Sequence, residues 1–189
     1  MKRTSLLFLL LIVSATAVLA QKATYTVDTK TTSLTWAAKK VVGGHEGTIL
    51  LQQGTIQVEK GKIVGGEFTV DMESLVCTDA PKVAGHLKNE DFFDVSTYPK
   101  ATFVITRVDY KQAVPTITGN LTIKNITKPI SFPARVVSLT DKTLEAEAQV
   151  KVNRLDFDIK YRSASIFSGL GDRAIDDEFT LNILLKGAR

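Results

Sequence analysis

The chain has 189 residues, with 24 Lys and Arg against 20 Asp and Glu and a formal charge of +4; Lys2 and Arg3 supply two of these charges, and the remainder carries +2. Basic and acidic residues are interspersed without a basic stripe, which excludes a nucleic-acid footprint. The single cysteine, Cys77, excludes an intramolecular disulfide, so a chain of this length must be held together by burial in one domain.

At the N-terminus, Lys2-Arg3 precede an apolar run from Leu6 to Val13 and small residues ending in Val18-Leu19-Ala20. This pattern predicts a secretory signal peptide over residues 1–20, cleaved before Gln21, and a periplasmic or secreted domain over 21–189. The apolar run is short for a membrane span. No cysteine follows it, which closes the lipoprotein route.

Period-two alternation dominates the rest. Less regular strand-like runs fall at Leu34–Lys40, Thr48–Gln52, Thr55–Glu59, Ala101–Tyr110 and Ile130–Leu139. Val64, Gly66, Phe68, Val70 and Met72 share one phase, as do Ile117, Gly119, Leu121 and Ile123. Leu144 to Val152, Leu155 to Tyr161 and Phe179 to Leu185 repeat the pattern. Glu59-Lys60-Gly61-Lys62 and Thr140-Asp141-Lys142 suit hairpin turns. Only Ser74 to Ser96 resists a strand reading; Pro81 to Leu87 suits a short helix. Gly169-Leu170-Gly171-Asp172 marks a second long loop.

About eight one-sided strands in sequential connection predict an all-β antiparallel barrel with a short helix and lid, because closure removes the sticky sheet edges. A β-sandwich is the competing architecture. At about eight strands the interior is filled by side chains or holds one slender ligand, and the sequence leaves both open.

The chemistry-bearing residues are sparse. His45 and His86 are the only histidines, and neither has a second histidine at ligand spacing, so no metal site is expected. His45-Glu46 lies between Gly44 and Gly47 and reads as a turn or bulge. His86 with Asp91 and Asp94 could form an oriented base, but no nucleophile motif stands beside it, and it reads as a hydrogen-bonded anchor of the lid. Gly169-Leu170-Gly171 lacks the elements of a phosphate-binding fingerprint, and no cofactor is expected. Cys77 reads as an inert half-buried thiol, with a dimer through it left open. Phenylalanines, by contrast, occur in nearly every predicted strand and in both long loops, and converge if the sheet closes.

Four segments carry a family resemblance. They are Gly44-His45-Glu46-Gly47; Gly85-His86-Leu87-Lys88 through Asp91-Phe92-Phe93-Asp94 to Tyr98-Pro99-Lys100-Ala101-Thr102-Phe103; Gly119-Asn120-Leu121-Thr122-Ile123 with Thr127-Lys128-Pro129; and Arg154-Leu155-Asp156-Phe157. From about Tyr25 to Leu185 the chain resembles the YceI-like polyisoprenoid-binding proteins. The resemblance implies a lipocalin-like barrel, secreted to the periplasm, that carries a polyisoprenoid or other long-chain amphiphilic lipid and is not an enzyme. Transient membrane contact is compatible with that role. Two residues depart from the family's pattern: Asn125 and Asp158 stand where relatives have glycine. The first suits a left-handed turn; the second bears on the bend of a strand and the shape of the cavity.

Joined to the one-sided pattern, the resemblance places Trp36, Phe68, Phe92, Phe93, Phe103, Leu121, Phe132 and Phe157 around an apolar cavity, with Phe92 and Phe93 near one end. An anionic head group at the mouth would meet Lys88, Lys100, Arg154 or Lys160, which as a set read more simply as surface charges. The alternative is a periplasmic enzyme or stress-related factor that uses His86 and nearby acids on an apolar substrate.

Overall fold

Antiparallel pairing runs without interruption around a closed sheet in the computed structural model, which describes residues 22–189; the predicted signal peptide lies outside the described residues. The strands are β1 (Ala23–Val27), β2 (Ser33–Lys40), β3 (Gly44–Glu59), β4 (Lys62–Cys77), β5 (Lys100–Asp109), β6 (Thr116–Ile123), β7 (Ile126–Leu139), β8 (Thr143–Asn153) and β9 (Ile175–Ala188). Helix α1 (Pro81–Lys88) interrupts the series between β4 and β5. The order β3-β2-β9-β8-β7-β6-β5-β4 closes through pairing of β4 with β3. β1 and β2 both pair with β3 and with β9, so they occupy one place as a broken strand. Across the break the Thr32 hydroxyl accepts the Lys186 N–H at 3.1 Å, substituting for missing strand backbone. The result is an antiparallel barrel of eight strand positions with one short helix, not a sandwich.

The hairpins follow from local chemistry. Lys60 (φ 51°) and Gly61 (φ 72°) both take positive φ between β3 and β4, as do Lys124 (φ 50°) and Asn125 (φ 58°) between β6 and β7. Two such residues in a two-residue loop match the twist of the flanking strands. β1 falls outside the runs that patterning marks, although Tyr25 and Val27 are buried and alternate with exposed Thr24 and Thr26.

Bulges explain where the alternation misleads. The runs Thr48–Gln52 and Thr55–Glu59 are one strand, in which a register shift between Leu51 and Gln53 moves the buried phase from Ile49 and Leu51 to Gly54, Ile56 and Val58. In β4, Gln57 pairs with Gly65 and Val58 with Ile63, leaving Val64 as the extra residue. Val64 is therefore exposed, contrary to its inward assignment, and Ile63 takes the core position. Leu155–Tyr161 is likewise not a strand. Arg154–Phe157 is a 3-10 turn capped by Asp158 in the left-handed conformation (φ 59°, ψ 30°), a geometry that explains why glycine suits this place.

Inside the barrel, Phe68 lies 6.3 Å from Phe103, and Phe103 5.5 Å from Phe132, between ring centres. Room for this stack comes from Gly119. A Cβ there would stand 2.4 Å from the Phe103 ring and 2.5 Å from the carbonyl oxygen of Val104.

Candidate functional site

One end of the barrel is roofed by α1, the segment 89–98 and the segment 154–174, and beneath this roof lies a cavity of about 280 Å³. Its walls are apolar: Leu34, Trp36 and Ile49 on one side, Val70, Met72 and Leu75 on β4, Ala101, Leu121 and Ile123 beyond them, and Phe179 and Leu181 on β9. Val83 and Leu87 of α1, Phe92, Phe93, Ile159 and Tyr161 complete the roof. Period-two alternation brings the strand residues to one face; α1 adds its own from a single turn-spaced stripe.

Of the eight residues assigned to the cavity from sequence, Trp36, Phe92, Phe93 and Leu121 line it. Phe68, Phe103 and Phe132 form the aromatic stack one step beyond, since Phe103 is paired with the lining residue Leu121 and Phe68 is two residues from lining Val70. Phe157 is 1 % exposed and belongs to the core, not to the cavity wall. The stack thus packs the barrel interior beyond the cavity. Tyr161, Phe179 and Leu181 also line the cavity; the alternating run Phe179 to Leu185 contains the last two, and the run Leu155 to Tyr161, which is not a strand, contains the first.

Trp36 explains Gly47. Its indole Nε1 donates to the carbonyl of Val76 at 3.0 Å, and its ring lies where a side chain on Gly47 would be, since a Cβ there would stand 2.8 Å from the ring and 1.8 Å from the Val76 oxygen. His86 sits in the roof. Its Nε2 lies 3.0 Å from Asp91 Oδ2, and its ring meets Phe92 and Tyr161 edge-on at 5.0 and 4.8 Å. Backbone bonds from Phe93 N–H to Leu87 O and from Val95 N–H to Lys88 O fold the segment after α1 back beneath it.

Arg154 corrects a reading of the sequence. It is 4 % exposed rather than a surface charge, and its guanidinium donates to the carbonyls of Ile159 (2.8 Å), Asp176 (2.9 Å) and Ile175 (3.0 Å). Asp177 lies 3.4 Å away. Burial lowers the Arg154 pKa from its ordinary value, opposed by the Asp177 and Asp176 carboxylates. Lys88 donates to Glu73 O at 2.6 Å and Lys160 pairs with Asp158, while Lys100 does not line the cavity. The cations at the mouth are instead Lys39, Lys40 and Arg162, with His45 among the lining residues and Asp176 the single lining carboxylate.

A second cluster, unexpected from residue spacing, adjoins the mouth. Asp79 accepts from Glu46 N–H at 3.1 Å and from the Cys77 thiol at 3.2 Å, and lies 2.9 Å from His45 Nδ1. The Glu46 N–H, then the Cys77 thiol, then His45 hold the Asp79 carboxyl well below the usual range. Burial and the carboxylate push the Cys77 thiol up. One ligand atom from each of the three lies within 4.8 Å of the others, a donor set of the kind zinc takes, although each donor is also satisfied inside the cluster. Cys77 is 0 % exposed, so a disulfide through it would require this end of β4 to open.

The sequence matches the YceI-like domain over residues 25–186. The chain belongs to the YceI-like family. Protein YceI of Escherichia coli O157:H7 is 36 % identical over 80 residues, covering 40 % of this chain and 42 % of that protein. The chain thus matches less than half the length of such curated relatives. Among solved structures, Burkholderia cenocepacia BcnA superimposes with a TM-score of 0.68 at 20 % identity, covering 85 % of this chain and 98 % of that one. A polyisoprenoid binding domain from Saccharophagus degradans, implicated in plant cell wall breakdown, does so with a TM-score of 0.63 at 12 % identity, covering 87 % and 97 %. At these identities the structures are alike in fold.

Proposed function

We propose that the protein is a periplasmic or secreted carrier that holds the apolar tail of a polyisoprenoid or other long-chain amphiphile in the cavity beneath α1. One observation carries this: the barrel is not filled by its own side chains, but keeps a cavity of about 280 Å³ walled mainly by apolar groups, with Lys39, Lys40 and Arg162 at its mouth and the buried Arg154 in its lining already bonded to protein carbonyls. Such a site suits a tail inside and a polar group outside, because a buried methylene contributes about 0.8 kcal/mol without needing a polar anchor. The polyisoprenoid-binding domain of Saccharophagus degradans, alike in fold, supports the ligand class.

An enzymatic reading would rest on His86, which lines the cavity and lies 3.0 Å from Asp91 Oδ2. Its ring is packed edge-on against Phe92 and Tyr161, however, an arrangement that fits an anchor of the roof. Purification from the native host followed by native mass spectrometry and lipid extraction tests the proposal. One bound amphiphile with a polyprenyl or long acyl tail is expected. Absence of any such ligand, together with failure to bind both fluorescent polyprenyl and fatty-acyl probes, would overturn it.

A further inference from the structure

The mouth of the cavity carries apolar side chains that the barrel does not use. Val41 and Val42, in the β2–β3 hairpin, are 61 % and 65 % exposed; Ile166 and Phe167, in the loop after Tyr161, are each 48 % exposed. Both segments are tied to Ile175 at the start of β9. Val41 N–H donates to Ala174 O at 3.3 Å, and Lys40 pairs with Ile175. From the other side, Ile175 N–H donates to Arg162 O at 2.9 Å, Ser163 bridges to Ile175, and Phe167 N–H donates to Ser163 O at 2.9 Å. The two tips therefore flank one point, and Lys39, Lys40, Arg162 and Ile175 beside it line the cavity. Other exposed apolar side chains, such as Leu50, Val104 and Val137, are on β3, β5 and β7, along the barrel wall.

Cations surround these tips. Lys39, Lys40, Arg162 and Arg173 lie in the same segments, and among the described residues none is in an ion pair. Acids in or beside these segments are Glu46, Asp79, Asp172, Asp176 and Asp177, of which Asp79 is already engaged by the Glu46 N–H, the Cys77 thiol and His45, and Asp177 by Arg154 and the Ser165 hydroxyl. Arg162 also stacks over the Tyr161 ring, with 5.1 Å between its guanidinium carbon and the ring centre.

We infer that this rim is a docking face for an anionic lipid bilayer, with Val41, Val42, Ile166 and Phe167 entering the interface and Lys39, Lys40, Arg162 and Arg173 meeting the head groups. Exposed aliphatic and aromatic tips beside unpaired cations match the chemistry of a charged membrane surface, where basic groups gain from anionic lipid and apolar tips leave water. The face surrounds the opening of an apolar cavity, so a tail crossing it at the bilayer would not traverse water. The inference rests on the carrier reading for its purpose, but its test is separate.

The test is co-sedimentation of the processed protein, its N-terminus defined by intact mass, with vesicles of phosphatidylcholine alone or mixed with phosphatidylglycerol. Roughly tenfold stronger association with the anionic vesicles is expected, weakening as salt is raised. The double variant Val42→Asp, Phe167→Asp, which changes no cavity-lining residue, should lose this association by roughly tenfold or more while keeping the wild-type melting temperature and binding of a soluble fluorescent acyl probe. Failure of the wild type to sediment with anionic vesicles, or equal sedimentation of the double variant, overturns the docking face. Retained probe binding in either case would leave the carrier reading standing; loss of probe binding in the wild type would refute that reading instead.

Discussion

Cavity size sets a limit on how much tail can be buried, and that limit is measurable. At roughly 30 Å³ for each methylene-sized group, about 280 Å³ accommodates about nine groups. Each buried methylene contributes about 0.8 kcal/mol, or roughly a fourfold gain in affinity. Binding of n-alkyl phosphates of increasing length, followed by isothermal titration calorimetry below their micellar concentrations, should tighten about fourfold per carbon up to about nine carbons and then level off. Ala101 lines the wall and is 6 % exposed. Ala101→Leu adds three carbons, roughly 90 Å³ on the same scale, and should move the break to about six carbons. An unbroken rise past about twelve carbons, or a break unmoved by Ala101→Leu, would refute the inference that this cavity is what holds the tail.

Removing the guanidinium of Arg154 takes the donor from three carbonyls and the cation from Asp177, which keeps the Ser165 hydroxyl, so Arg154→Met should cost about 3–5 kcal/mol in urea melts; a loss below about 1 kcal/mol would contradict the role assigned to it. Because the Asp79 pKa is lowered in the folded state, its contribution to stability is full above the ordinary carboxylate range and is lost as pH falls through that range toward the folded value. Asp79→Asn should accordingly lower the melting temperature most at about pH 7 and clearly less only near about pH 2, and an equal effect at both would refute the charge-based account. Cys77, fully buried with a raised pKa, should react with a disulfide reagent only as urea unfolds the chain; rapid labelling of the native protein would show that the core opens there.

Much of the barrel was legible because one-sided burial leaves a period of two in the sequence. The same physics put Ile117, Gly119, Leu121 and Ile123 on the buried face of β6, and Lys60-Gly61 in a tight hairpin. Pro81 to Leu87 read as helix for the separate reason that it breaks that period and opens with proline. Alternation reports only which face a residue is on. It cannot reveal a single inserted residue, so Val64 was assigned inward, and it cannot tell the 3-10 turn at Arg154–Phe157 from a strand. Nor does it show what an inward side chain meets. Closure of the sheet stacked Phe68, Phe103 and Phe132 against one another and left Trp36, Phe92, Phe93 and Leu121 around open space. Arg154 was buried by carbonyls more than twenty residues away at Ile175 and Asp176, and His45 met Asp79 across paired strands. The sequence by itself determined most of the strands and their buried faces, because those follow from neighbours along the chain. Only the tertiary structure decided between cavity and core, because that depends on how side chains from distant strands divide the same interior volume.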